Sequence, residues 1–287
     1  MKNFKTVLAG LTGAIMFTLS MPVTRAAAPV CDVIPLMARL PDLATVIPQQ
    51  VQVVNPNSKE GKRELIRFSN GIANIGDGPW RMRPEFPLND NSQPQLAIQE
   101  LLDSAGNLVC EKVVSQFQFH PEHNHWHING VAEFSVHVSK GGGPAGSGDI
   151  GGVYVNDRGQ AVSLKTTFCL IDWIKLGGNS NSSKADGRTY FDCFGDYQGI
   201  SVGWVDEYHQ SIEGQQLDVT GAPPGLYYLL STANAEATFI ETNYANNSAW
   251  VAFQLSRDSN GNPKITIIGD SFAAEGLGVK PDYTTNR

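Results

Sequence analysis

Beyond its first 28 residues the sequence has no apolar run long enough to cross a bilayer, which takes about 20 residues as a helix. It has no Cys-x-x-Cys pair, so thiol redox chemistry and zinc-ribbon sites find no support. It has no internal repeat and no long 3.6-residue apolar period, which sets aside repeat and helical-bundle architectures. Histidine is scarce, with six in 287 residues. Positive charge is in deficit: 21 Lys and Arg stand against 28 Asp and Glu, a net charge of −7. That balance argues against nucleic acid or an anionic membrane as partner and favours a cationic ligand.

The first residues read differently. Lys2 and Lys5 precede an apolar run from Val7 to Val23, and Ala26, Ala27 and Ala28 follow. This is the layout of a secretory signal peptide over residues 1–28, with cleavage among the alanines. Gly10, Thr12, Gly13, Thr18 and Ser20 break the run, whereas a membrane anchor is more uniformly apolar. The expectation is a secreted or periplasmic protein with no membrane span. Residues 29–287 would form a single domain whose tail, 282–287, is frayed. The leader carries Lys2, Lys5 and Arg25 and no acid, so removing it leaves 18 basic residues against 28 acidic ones, a net charge of −10.

The remaining cysteines are Cys31, Cys110, Cys169 and Cys193. An even number in an exported chain reads as two disulfides, with three pairings open. Cys169–Cys193 with Cys31–Cys110 is the favoured pairing, since each bond then closes a loop within one region.

Polar clusters of Gly, Asn and Asp recur between β-prone runs. Residues 103–107 separate Leu101–Leu102 from Leu108–Val109. Residues 156–159 separate 153–155 from Ala161–Val162, and 258–262 separate 251–255 from 265–268. Each is a hairpin signature. Residues 63–69 and 225–230 add strand candidates. The predicted fold is all-β, an antiparallel sandwich with long surface loops. Two glycine-rich stretches, 140–148 and 176–188, have too few apolar residues to pack and read as surface insertions.

One strand candidate carries chemistry. From Trp126 the even positions are Ile128, Gly130, Ala132, Phe134, Val136 and Val138, an apolar face with one glycine. The odd positions, from His123 through His125, His127, Asn129 and Val131 to Glu133, Ser135 and His137, are largely polar. Period-two alternation puts His123, His125 and His127 on one side and the core on the other. Four of the six histidines fall between residues 120 and 127. Imidazoles two apart on a strand are a natural metal chelate, and this donor set suits copper, zinc, nickel or iron. A third at i+4 is harder. On a flat strand its Cα lies roughly 13 Å from the first, at about 3.3 Å per residue. Metal–nitrogen bonds are only about 2 Å. All three can bind one ion only where the strand bends or ends, for which Pro121 and Gly130 are suitable residues. His120 and His137 read as structural or supporting.

At these residues the chain resembles the lysyl oxidase family. His123-Asn-His-Trp-His127 is similar to that family's copper-binding His-x-His-x-His. Lys165-Thr-Thr-Phe-Cys-Leu170 and Gly203-Trp-Val-Asp-Glu-Tyr208 follow in the family's order, then residues 215–220, 224–227 and 241–247. The resemblance implies copper on His123, His125 and His127 and a lysine tyrosylquinone cofactor built from Lys165 and Tyr208. It also implies oxidative deamination of a primary amine, a small amine or the lysine side chain of a protein, to aldehyde, ammonia and hydrogen peroxide. Ordinary side chains offer no electron sink for that reaction, so one has to be built in. Removing the substrate α-proton needs a carboxylate. Asp172 and Asp206 are the candidates, with Asp172 ranked ahead. There are departures: Glu122 stands where the family has a cysteine, and Ile171 where its vertebrate members have an acid.

Lys165 shares a strand face with Thr167 and Cys169; spacing alone favours a lysine that snorkels to solvent, and the resemblance reverses this to a half-buried one whose pKa burial lowers. Read without the resemblance, Tyr208 would be an ordinary half-buried tyrosine, and residues 241–247 a structural turn. Two other functions remain open from the sequence. One is a cupin-like metal-dependent oxygenase using His209 and Glu213. The other is a non-catalytic secreted metal-binding module.

Overall fold

The computed structural model describes residues 28–54, 63–142, 146–176, 187–212 and 214–281. The leader, apart from Ala28, and the tail 282–287 lie outside the described residues, as do Glu213 and the centres of both glycine-rich insertions.

The described residues form β1 (Leu43–Thr45), β2 (Gln49–Val54), β3 (Leu65–Asn74), β4 (Trp80–Pro84), β5 (Gln95–Leu102), β6 (Leu108–His120), β7 (His125–Ser139) and β8 (Ile150–Val153). There follow β9 (Ser163–Phe168), β10 (Ile174–Lys175), β11 (Gln198–Ile200), β12 (Trp204–Tyr208), β13 (Gln216–Asp218), β14 (Gly225–Ala233), β15 (Ser248–Arg257) and β16 (Pro263–Asp270). A five-residue helix, α1 (Ser271–Glu275), comes last.

The strands make two antiparallel sheets, the sandwich expected from the sequence. The larger runs β11-β4-β5-β6-β7-β14-β15-β16, with β8 and β9 also pairing β7. The smaller runs β1-β3-β12-β10, with β2 and β13 also pairing β3. The three predicted hairpin turns use one device. Asp103 accepts from the N–H groups of Ala105 and Asn107, Asn156 from those of Arg158 and Gln160, and Asp258 from those of Asn260 and Asn262. A short acceptor side chain thus satisfies the turn's backbone and fixes the register of the strands it joins.

The core lies between the sheets. Phe68 of β3 meets Phe134 of β7 edge to face at 4.9 Å. Both are fully buried, together with Trp126, Ile128 and Phe168. Burying each such side chain contributes roughly 1.5–3 kcal/mol. The two disulfides are Cys31–Cys110 and Cys169–Cys193, the favoured pairing. Residues 241–247 are structural as expected. The buried Glu241 carboxylate accepts from Leu43 N–H and from the amides of Asn234 and Asn247, pinning the return to β15 against β1.

Candidate metal centre and active site

The site is built where β6 turns into β7. His120 pairs with His125 across the hairpin, and Gln118 with His127. The turn is closed by His123 N–H to His120 C=O at 3.1 Å and Asn124 N–H to Pro121 C=O at 3.2 Å. Asn124 takes φ 55°, a left-handed conformation that asparagine tolerates better than most residues. His123 therefore stands in the turn rather than on the strand. That removes the geometric obstacle to convergence, because the strand begins at His125.

The ligand-capable nitrogens of His123, His125 and His127 all lie within 4.8 Å of one another. His127 Nε2 is 2.9 Å from His125 Nε2 and 3.2 Å from His123 Nδ1. Two bonds of about 2.0–2.1 Å meeting at about 90–105° hold their nitrogens about 2.9–3.3 Å apart. The two spacings at His127 fit paired bonds to one first-row metal ion, while the 4.8 Å that bounds the set exceeds the about 4.2 Å two such bonds can span, so His123 and His125 must draw slightly together to share the ion. His127 Nδ1 lies 2.9 Å from Thr167 Oγ1 on β9. A proton on Nδ1, donated to that oxygen, leaves the Nε2 lone pair for a metal. Burial, and then the neighbouring histidines, push the His127 pKa down to about 2 and that of His125 in the same direction. His125 and His127 are thus held neutral, the protonation state that ligation requires.

His120 packs flat on this group, its ring 4.6 Å from that of His123 and 4.8 Å from that of His127. His137 is tied to Ser135 and to the carbonyl of Gly151, in keeping with a structural role.

Tyr208 arrives from the other sheet, at the end of β12 opposite Asn70 of β3. Its ring stacks on Phe168 at 4.2 Å and stands edge-on to His127 at 6.2 Å. Its hydroxyl accepts a hydrogen bond from Cys169 N–H at 2.9 Å. Burial, with the charge of Asp206 second, raises its pKa. Lys165 on β9 lines a cavity of about 340 Å³ together with His123, His127, Thr167 and Tyr208.

Two expectations need correction. Lys165 is not half-buried: its side chain is 63% exposed and ion-paired to Glu236. The hydrogen bond and charge of Glu236 raise its pKa instead of lowering it. The reason lies in β7, where a register shift between Ile128 and Ala132 sets Lys165 opposite Glu133, away from the histidine end. The second correction concerns Asp172. It is fully buried and accepts four hydrogen bonds, from the N–H groups of Thr189, Tyr190 and Ser201 and from the Ser201 hydroxyl. That carboxylate is occupied in holding the loop together and does not reach the histidine cluster.

Asp206 is placed differently. It sits two residues before Tyr208 on the same face of β12, is 1% exposed, and its Oδ2 finds no hydrogen-bond partner among the described residues. It lines a second cavity, of about 380 Å³, with His123, His125, Glu207 and Tyr208. Burial holds its pKa well above the usual carboxylate range, and the charges of Asp172 and Glu207 add to the effect. His209 is exposed and bonded to Ser211, and it does not line either cavity at the histidine cluster.

Sequence reasoning missed Thr167 as the histidine partner and Phe168 as the tyrosine's platform. Thr167 was within reach, since it shares the Lys165 face. Glu236, some 70 positions away, left no sequence signal.

The family model described as Lysyl oxidase matches residues 153–261, a span that holds Lys165, Asp206 and Tyr208 and begins after the histidine cluster. Lysyl oxidase homolog 2 of Gallus gallus is 26% identical over 196 residues, 68% of this chain and 19% of the relative. Lysyl oxidase homolog 2 of Homo sapiens is 34% identical over 95 residues, 32% of this chain and 11% of the relative. Lysyl oxidase homolog 3A of Danio rerio is 26% identical over 190 residues, 66% of this chain and 19% of the relative. The matches span at most about a fifth of these longer proteins.

Proposed function

We propose that this chain, a member of the lysyl oxidase family, is an exported copper-dependent amine oxidase acting through a lysine tyrosylquinone made from Lys165 and Tyr208. The reaction is R–CH2–NH2 + O2 + H2O → R–CHO + NH3 + H2O2. One observation carries the reading: the nitrogens of three imidazoles gather within 4.8 Å of one another, and the Tyr208 ring stands 6.2 Å from that of His127.

His123, His125 and His127 would hold the copper, whose one-electron chemistry with oxygen would convert the phenol to a quinone. The quinone, once formed, supplies the electron sink that amine oxidation needs.

The chain's own residues set the stage. Phe168 and Cys169 N–H fix the ring and hydroxyl of Tyr208, so the phenol keeps one orientation. Lys165 reaches Tyr208 along the wall of the shared cavity, and to do so it must leave Glu236 and give up a proton. Asp206, buried beside Tyr208, accepts the substrate α-proton, and the burial that raises its pKa makes it a stronger base than an exposed carboxylate. Residues 1–28 direct export to the periplasm or the medium, where both disulfides are stable. Residues 29–287 form the single catalytic domain.

Mass spectrometry of peptides from copper-loaded protein is the decisive experiment. A Lys165–Tyr208 crosslinked peptide, with quinone absorbance and peroxide release from a primary amine, is the expected result. Bound metal with both residues recovered unmodified would leave a metal-binding module in its place.

A further inference from the structure

We propose that the cavity beside His125 and Tyr208 is the amine subsite and that it is shaped for an arylalkylamine, a single ammonium carried on an aromatic body. Its turnover rests on the oxidase reading above, whereas its binding preference does not.

The cavity has two unlike ends. At the buried end lies Asp206, whose Oδ2 has no hydrogen-bond partner among the described residues. An unsatisfied buried carboxyl oxygen is costly, and an ammonium ion offers three donors and the opposite charge. The apolar part of the lining is Ile171, Trp173, Ile212 and the Cys169–Cys193 disulfide. Trp173 is 52% exposed and so stands at the mouth. Phe194, 59% exposed, stands edge-on to His125 at 6.3 Å on the same side. Large aromatic side chains left half in water gain from a flat aromatic partner, through ring–ring contact added to the apolar area buried.

Size and charge narrow the choice. A cavity of about 380 Å³ is at the small end of organic ligand sites, which run about 300–1,000 Å³. The guanidinium of Arg188 lies 5.9 Å from the Trp173 ring centre. A second ammonium emerging at the mouth would meet that positive charge, which disfavours diamines and polyamines. A lysine side chain would reach Asp206 but would present only methylenes to Trp173.

The test separates binding from turnover. Copper-loaded Tyr208→Phe protein, unable to form the quinone, is titrated calorimetrically with 2-phenylethylamine, n-butylamine, 1,5-diaminopentane and a capped lysine peptide. 2-Phenylethylamine should bind about tenfold or more tighter than each of the others. Adding Trp173→Ala should erase the margin over n-butylamine, and Asp206→Asn should weaken all four, with circular dichroism confirming the fold. Equal affinities, or tighter binding of the diamine or the peptide, would overturn the proposal. On the unsubstituted enzyme, oxidation without this preference overturns the subsite and leaves the oxidase standing. The binding order without any peroxide release leaves the subsite and removes the oxidase.

Discussion

His127 and Thr167 are joined across two strands, Nδ1 to Oγ1 at 2.9 Å, so that the candidate metal ligand is oriented by the strand that also carries Lys165. Thr167→Val keeps the shape and removes the hydroxyl. Metal affinity, read by competition with a chromophoric chelator, is expected to fall about 10–100-fold. The metal-free protein should lose about 1–3 kcal/mol of stability, since the buried Nδ1–H is left without an acceptor. Unchanged affinity would mean that the contact has no part in ligation.

Asp206 gives a pH-dependent signature. Its folded pKa is raised by burial, so the folded state holds the proton more tightly than the unfolded chain does. The stability linked to this group is present below the ordinary carboxylate range. It is lost as the pH rises from there toward the raised value. Asp206→Asn should therefore match the parent's unfolding free energy, from denaturant titration, near pH 4 and exceed it at pH 8 by about 1–3 kcal/mol. It should also abolish amine oxidation. A variant less stable than the parent at pH 8 would show that the carboxylate is satisfied after all.

Glu236 controls when Lys165 can react. Its hydrogen bond and charge raise the lysine pKa, which lowers the fraction of neutral amine at any given pH. Glu236→Gln removes the charge. The pH profile for the appearance of quinone absorbance after copper addition should move to lower pH. Both side chains are largely exposed, so the melting temperature should hold. A profile that stays in place would separate Glu236 from cofactor formation.

Glu241 anchors the fold away from the site. It satisfies Leu43 N–H and two asparagine amides in a buried setting. Glu241→Ala leaves all three donors without an acceptor. By denaturant titration it should cost about 2–5 kcal/mol, since each orphaned donor costs about 1–3 kcal/mol and the losses are not additive. A cost under about 1 kcal/mol would mean that water replaces the carboxylate.

Much of the fold was legible because its signals are local. The turns at Asp103, Asn156 and Asp258 each close within five residues, and the alternation from Trp126 onward marks a strand whose even face is core as far as Val136, although His127, Val131 and Ser135 of the other face are buried too. The histidine cluster was legible for the same reason. The condition set by strand geometry, that the strand bend or end, is met by the turn at residues 121–124. For Lys165, spacing alone favoured a side chain that reaches solvent, as found, and the half-buried lysine came from the resemblance; strand parity says which side a residue faces and not how deep it lies. A register shift further along β7 decided the depth.

What the sequence determined by itself was the pattern of turns, the apolar face of β7 and the set of three histidines. All of these follow from spacing along a few neighbouring residues. What only the tertiary structure decided was which acid stands at the site. Asp172 and Asp206 look alike in sequence, yet one is saturated by four donors and the other is buried with an unpaired oxygen. That difference arises from loops and strands far apart in the chain, since hydrogen-bond satisfaction belongs to the packed neighbourhood and not to the residue.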